Sequence, residues 1–276
     1  MQTGRTSKLV VKTSYASAVL FLLALFVAAP AFAQVRVRHS EGLVHGFLTL
    51  RNLDGELLAD GDLLQTVRGD RVTSRLVFHF KDGSVHDDTT VFSQRRTLRL
   101  LSDHLIQKGP AFPHPMEVTL NALTGEVKVH YIDDGTEKDL TERLKLPPDV
   151  SNGLMLTLLK SINPEVPETK VSMVATTPKP QLVKLVITPQ GEESFATGDE
   201  HREAMHFVIK VELGGLTGAL ASLLGKEPPD IHVWILEGEA PAFVKSEGPL
   251  AFGVPPWRIE LVSPVWPKPS KTTDKK

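Results

Sequence analysis

The sequence predicts a mainly β protein: a curved antiparallel sheet, built as a half-open barrel or a two-part meander, with two short helices near 149–162 and 215–225. Three observations predict it. Apolar residues recur with a period of two along several runs, the runs are separated by Gly- and Asp-containing turns, and only two segments carry a helical pattern.

The chain begins with a different kind of segment. Arg5, Lys8 and Lys12 precede an apolar run of 12 residues, Ala18 to Ala29, and no acidic residue occurs in the first 33. At the helical rise that run covers roughly 18 Å, well short of a hydrocarbon core of about 30 Å. Pro30 ends it, and Ala31-Phe32-Ala33 supplies the small-x-small pattern read by signal peptidase. The expectation is a signal peptide over 1–33, cleaved between Ala33 and Gln34, with no stable membrane span afterwards. A single β-rich domain over 34–265 and a disordered basic tail over 266–276, ending in "PKPSKTTDKK", complete the expected organisation.

The strand runs follow in order. In "RVTSRLVFHF" Val72, Leu76, Phe78 and Phe80 fall on one face, and Arg71, Thr73, Arg75 and His79 on the other. "EVKVHYI" sets Val127, Val129 and Tyr131 against Lys128 and His130, and "QLVKLVI" gathers Val183, Leu185 and Ile187. "HREAMHFVIKVEL" aligns Met205, Phe207, Ile209, Val211 and Leu213 opposite His206, Val208, Lys210 and Glu212. "NLDGE", "RGDR", "KDGS", "LTGE" and "DDGT" read as the hairpin turns between such runs. The Pro-rich "KGPAFPHP" (108–115) reads as a stiff connection, a candidate boundary between two sub-sheets near 108–116.

The first helical segment, "PPDVSNGLMLTLLKSINP" (147–164), offers Asp149 or Ser151 as N-cap and a stripe of Leu154, Leu158 and Ile162. The second, "GGLTGALASLLGK" (214–226), is apolar on nearly every face. It is read as a core or plug helix, a lid over an apolar groove, or a membrane contact.

Composition removes several function classes. Three of the 31 basic residues and none of the 33 acidic ones lie in the first 33 positions, so the remainder carries 28 against 33, a net −5 with neutral histidine. That balance, with three Trp, two Tyr and no basic stripe interleaved with aromatics, argues against nucleic acid. The absence of cysteine excludes disulfides, thiol catalysis and a lipid-modified cysteine. No Gly-x-Ser-x-Gly elbow or phosphate-cradling loop occurs, and "RGD" at 68–70 reads as a turn. The ten histidines show neither i, i+2 strand spacing nor HExxH spacing, so no metal and no cofactor is expected. The densest titratable cluster is "HFKDGSVHDD", with His79, Asp82, His86, Asp87 and Asp88 around one hairpin; it reads first as a solvated tip.

In the second half, "LPPDVSNGLMLTLLK", "VKLVITPQGEESF", "HFVIKVEL", "IHVWILEGEAPAFVKSEGPL" and "WRIELVSP" follow one another. With Trp234, Glu237, Pro241, Val244, Lys245 and the Glu260-Leu261 pair in their places, this half resembles an uncharacterised family of exported bacterial β-rich proteins carrying a domain of unknown function. More distantly it is similar to the half-barrels that carry lipoproteins or lipids across the periplasm. The resemblance implies a curved antiparallel sheet behind a Pro-Asp-capped helix and assigns no residue a role.

These readings converge on an exported, cysteine-free, soluble protein of the periplasm or exterior that is not an enzyme and binds a lipid or other apolar ligand or escorts an envelope component. Leu216, Leu220, Leu223, Leu224 and Trp234 are the candidates for an apolar lid or groove. The alternatives are an interaction protein with a filled core and, weakest, a hydrolase built on the 79–88 hairpin.

Overall fold

In the computed structural model the described residues are 34–197, 200–212 and 228–262, and all belong to one compact unit, Phe32–Lys276. The expected signal segment with Ala33, the apolar segment 215–225 with Leu216, Leu220, Leu223 and Leu224, and the expected tail 266–276 lie outside the described residues.

Fourteen antiparallel strands form one sheet that is not closed into a barrel, as the alternation predicts. The first meander runs β1 (Val44–Asn52), β2 (Leu57–Arg68), β3 (Arg71–Phe80), β4 (Val85–Ser93), β5 (Arg99–Lys108), β6 (Met116–Asn121), β7 (Glu126–Asp133) and β8 (Thr136–Arg143). The second runs β9 (Thr169–Ala175), β10 (Gln181–Thr197), β11 (Glu200–Glu212), β12 (Ile231–Leu236), β13 (Ala242–Gly248) and β14 (Trp257–Leu261). Sequential strands pair throughout, and β1 with β14 joins the two meanders, Leu50 facing Ile259. The five turns named above each carry a glycine at positive φ. β5 and β6 are neighbours across 109–115, so no sheet boundary falls at the expected place near 108–116.

One face of the sheet supplies the core. Val72, Phe78 and Phe80 of β3, Val127 and Val129 of β7, and Leu185 and Ile187 of β10 are buried there, in the phase their sequences predict. Strand β11 departs from the expectation of one buried face. Ala204 to Ile209 are buried without a break, and on the outer side His206 stacks flat against Trp234 of β12.

The helix also departs from expectation. Within 149–162 only Met155–Leu159 is α-helical (α1). Neither Asp149 nor Ser151 caps it: Asp149 accepts from Ser172 Oγ (3.0 Å) and Lys184 Nζ (3.3 Å), and Ser151 Oγ donates to the Ser172 carbonyl. Residues 149–152 instead run along the open edge of β9, with Val150 bridging Ser172 in parallel and Asn152 bonding both backbone groups of Val174 at 2.8 Å. Those bonds occupy edge groups that would otherwise invite another chain. The opposite edge, β8, is protected differently, by the charged sequence "TEKDLTER". The predicted stripe of Leu154, Leu158 and Ile162 is buried, so α1 packs on the core as expected. No described helix is long and apolar enough to cross a membrane.

Candidate functional site

α1 does not fill the space beside the sheet. A cavity of about 300 Å3 remains, walled by Leu63, Leu76, Leu105, Met155, Leu156, Val233, Phe243 and Ile259. That volume sits at the lower edge of small-molecule sites, roughly 300–1,000 Å3. One pole of the cavity is polar, lined by His86, Asp88 and Thr90 of β4 and Asp103 of β5.

Two local features aim these groups inward. On β4, His86, Asp88, Thr90 and Phe92 share a parity, and fully buried Phe92 fixes it to the core side. On β5 the register slips: Val91 faces Ser102 and Phe92 faces Leu100, leaving Leu101 as an extra residue. Counted by strict alternation from Leu100, Asp103 belongs outside. The bulge turns it in, directly across from Thr90.

Thr90 Oγ1 donates to Asp103 Oδ1 at 2.8 Å. Asp88 is hydrogen-bonded to Asp103 and Thr90, while its Oδ1 is sealed from solvent and has no hydrogen-bond partner. Burial raises both carboxyl groups above the ordinary aspartate range, Asp88 more strongly because the charge of Asp103 adds to it. Two desolvated carboxyls in contact do not both ionise readily, so the pair retains a proton. Beside them His86 is 3 % exposed, and burial lowers it to about 4, so its ring is neutral. Gln107 Nε2 donates to His86 Nδ1 at 3.2 Å, which leaves the ring proton on Nε2. The cation lining the cavity, Lys160 at the C-terminal cap of α1, is engaged by Glu41 at 2.6 Å.

The chain entering α1 closes over this pole. Gly153 has φ +63°, and a Cβ there would overlap Thr90 Oγ1 and lie 2.6 Å from Asp103 Oδ1. Glycine is required on both counts, conformational and steric.

The 79–88 cluster is thereby divided, and as a solvated tip it is corrected. His79 is exposed on the outer face, Asp82 Oδ1 accepts from the Ser84 N–H in the turn, and Asp87 pairs with Arg75 on the outside. His86 and Asp88 point into the cavity instead. Asp103, the second half of the acid pair, was not singled out from the sequence. Its only signal is an acidic residue inside an apolar run, "LRLLSDHLIQ", and the bulge hides its facing.

Trp234, expected at an apolar groove, lies on the outer face; its neighbour Val233 faces the cavity. The indole stacks on His206 at 4.4 Å with planes 4° apart, and Lys245 Nζ stands 4.1 Å above it. Its Nε1–H donates to Glu193 Oε2 at 2.8 Å. Glu193 Oε1 lies 2.7 Å from His206 Nδ1, and His206 Nε2 lies 2.9 Å from His232 Nδ1. The consistent assignment is a relay in which His232 donates to His206 and His206 donates to Glu193. Hydrogen bonding by Trp234 holds Glu193 below the usual glutamate range, and burial lowers His206. Among the described residues, no three His, Asp or Glu side chains are grouped to hold a metal ion.

No family model matches the chain, and no curated protein matches it. Among solved structures the chain is similar to the crystal structure of a beta-barrel-like protein of domain of unknown function DUF1849 from Brucella abortus. The two share 11% identity over 81% of this chain and 98% of that one, with a TM-score of 0.45.

Proposed function

We propose that this is an exported, non-catalytic envelope protein that binds a small apolar or amphiphilic ligand in the concave cavity between α1 and the sheet. The observation that carries the reading is the cavity itself: about 300 Å3, apolar over most of its wall, with polar groups such as His86, Asp88, Thr90 and Asp103 set into it. That combination is what small-molecule sites present. The signal-type segment at 1–33 supports export, and the envelope role rests on it. The competing reading, an interaction protein with a filled core, has to account for a cavity left open beside a helix with buried Leu158 and Leu159.

Uptake of N-phenyl-1-naphthylamine, a dye that brightens in apolar surroundings, tests the reading. The wild type should enhance its fluorescence saturably. Leu63→Trp, which places an indole into the cavity from the half-buried wall of β2, should abolish the enhancement without lowering the melting temperature. A wild type that leaves the dye dark sinks the ligand-binding reading in favour of the interaction protein.

A further inference from the structure

We propose that one end of the sheet's outer face docks on anionic lipid. Unpaired arginines of β2, β3 and β5 take the phosphates of a bilayer surface, while Leu43 and Phe47 beside them enter its apolar boundary. This docking is independent of what the cavity holds.

Strand register assembles the surface. Arg68 faces Arg71 across the β2–β3 turn, Arg71 faces Ser93 of β4, and Ser93 faces Arg99 of β5. Residues directly opposite share a face of the sheet. Phe92 and Leu100, the chain neighbours of Ser93 and Arg99, are buried, so this row lies on the outer side. Arg95 and Arg96 sit in the connection from β4 to β5. The chain at 35–37 runs beside that connection: Arg36 bridges Thr97, and the Val37 N–H donates to the Arg96 carbonyl at 3.0 Å. Three stretches apart in sequence thus bring Arg36, Arg68, Arg71, Arg95, Arg96 and Arg99, all exposed, to one end of the sheet.

These arginines lack acid partners. None of them forms an ion pair among the described residues, whereas Arg75, further along β3, is closed onto Asp87 at 2.6 Å and Arg258 onto Glu247 at 2.8 Å. The neighbouring Asp70 accepts from Ser93 Oγ at 3.5 Å instead. Like charges directly opposite one another destabilise a strand pair, and Arg68 against Arg71 is such a pair. An anionic partner removes that repulsion. The whole chain carries a net −2, so the positive surplus belongs to this end alone.

The exposed apolar side chains beside the arginines select the partner. β1 begins beside the end of β2 that carries Arg68: Val44 faces Gln65, and Leu43, just ahead of it, is 78 % exposed. Phe47, 58 % exposed, has the parity opposite to buried Leu48 and Leu50 and therefore stands on the outer face. A soluble polyanion would satisfy the charges and leave Leu43 and Phe47 in water. A bilayer surface supplies both halves, phosphates that guanidinium groups grip bidentately and an apolar boundary just beneath them.

The chain has no cysteine, so Leu43→Cys gives the full-length protein a single attachment point for an NBD fluorophore. His79→Cys, exposed on the same face at the far end of β3, gives the control. With vesicles of equimolar phosphatidylglycerol and phosphatidylcholine the label at 43 should brighten and shift to the blue. It should stay dim with phosphatidylcholine alone, and the label at 79 should stay dim with both. Salt at about 1 M, which screens charges beyond about 3 Å, should reverse the change. Each arginine at such a surface contributes about fivefold in affinity. Arg68→Ala combined with Arg71→Ala should therefore weaken binding to the anionic vesicles more than about tenfold, without lowering the melting temperature. An equal response on neutral vesicles, a larger response at 79 than at 43, or binding that survives both substitutions would overturn the docking surface. So would a protein that ignores the anionic vesicles. Tight binding to heparin with a dim label at 43 on vesicles would assign the arginines to a soluble polyanion instead.

Discussion

Two polar clusters sit on the two faces of one sheet, and they differ in charge. On the outer face Glu193, His206 and His232 form a hydrogen-bonded chain, with Trp234 donating to the carboxylate and Lys245 above the indole. On the inner face Asp88, Asp103 and Thr90 bond to one another, and burial makes the acid pair retain a proton. The outer network contributes stability and pins the strands it bridges, here β10, β11, β12 and β13. The inner pair lowers stability at neutral pH, because two desolvated carboxyls are held in contact.

The largest expected break comes from the loop that closes the inner cluster. Gly153→Ala combines a left-handed backbone with a Cβ driven into Thr90 and Asp103. It should cost about 2–5 kcal/mol, from roughly 1–2 for the conformation and 1–3 for overpacking. Denaturant unfolding measures it. A cost below about 0.5 kcal/mol would mean that this loop does not seal the acid pair.

A smaller effect, of opposite sign, is expected at the acid pair. Carboxyls whose folded-state pKa is raised bind more protons folded than unfolded, so they lower stability as pH rises above the unfolded value of about 4 and through the folded values. Asp88→Asn removes that penalty. The empty protein should gain about 1 kcal/mol at neutral pH, and its melting temperature should fall less between about pH 4 and 7.5. Loss of stability at neutral pH with an unchanged pH profile would show that the pair is already satisfied.

The outer cluster should behave in the reverse sense. Trp234→Phe keeps the stack and removes only the donor to Glu193, a carboxylate that is half exposed; about 0.5–1.5 kcal/mol should be lost. Since His206 has a lowered folded value, its contribution is full above about pH 6.5 and declines as pH falls, opposite to the acid pair. Dye uptake should be unaffected. A Trp234→Phe protein that binds the dye poorly would couple the two faces and undo the comparison.

Much of this fold is legible in the sequence because period-two burial needs only one strand to be read. Val72, Phe78 and Phe80, or Val183, Leu185 and Ile187, declare their face unaided. The turns are equally local, each with its glycine. What is hidden depends on register between strands. Asp103 reaches the cavity because Leu101 is bulged, and Asp88 meets it only through pairing of β4 with β5. The short α1 has the same origin: Asp149 reads as a cap until Ser172 and Lys184, from strands laid beside it, claim its oxygens. His206 reads as a solvent-facing residue until Trp234 arrives from β12 to stack on it.

The central proposal is that the cavity between α1 and the sheet takes up an apolar ligand. A crystal structure of the full-length protein with n-octanol tests it most directly. The alkyl chain should lie against Leu63, Leu76 and Phe243. Octanol seated only on the outer face beside Glu193, or a cavity left empty at saturating octanol, would contradict it.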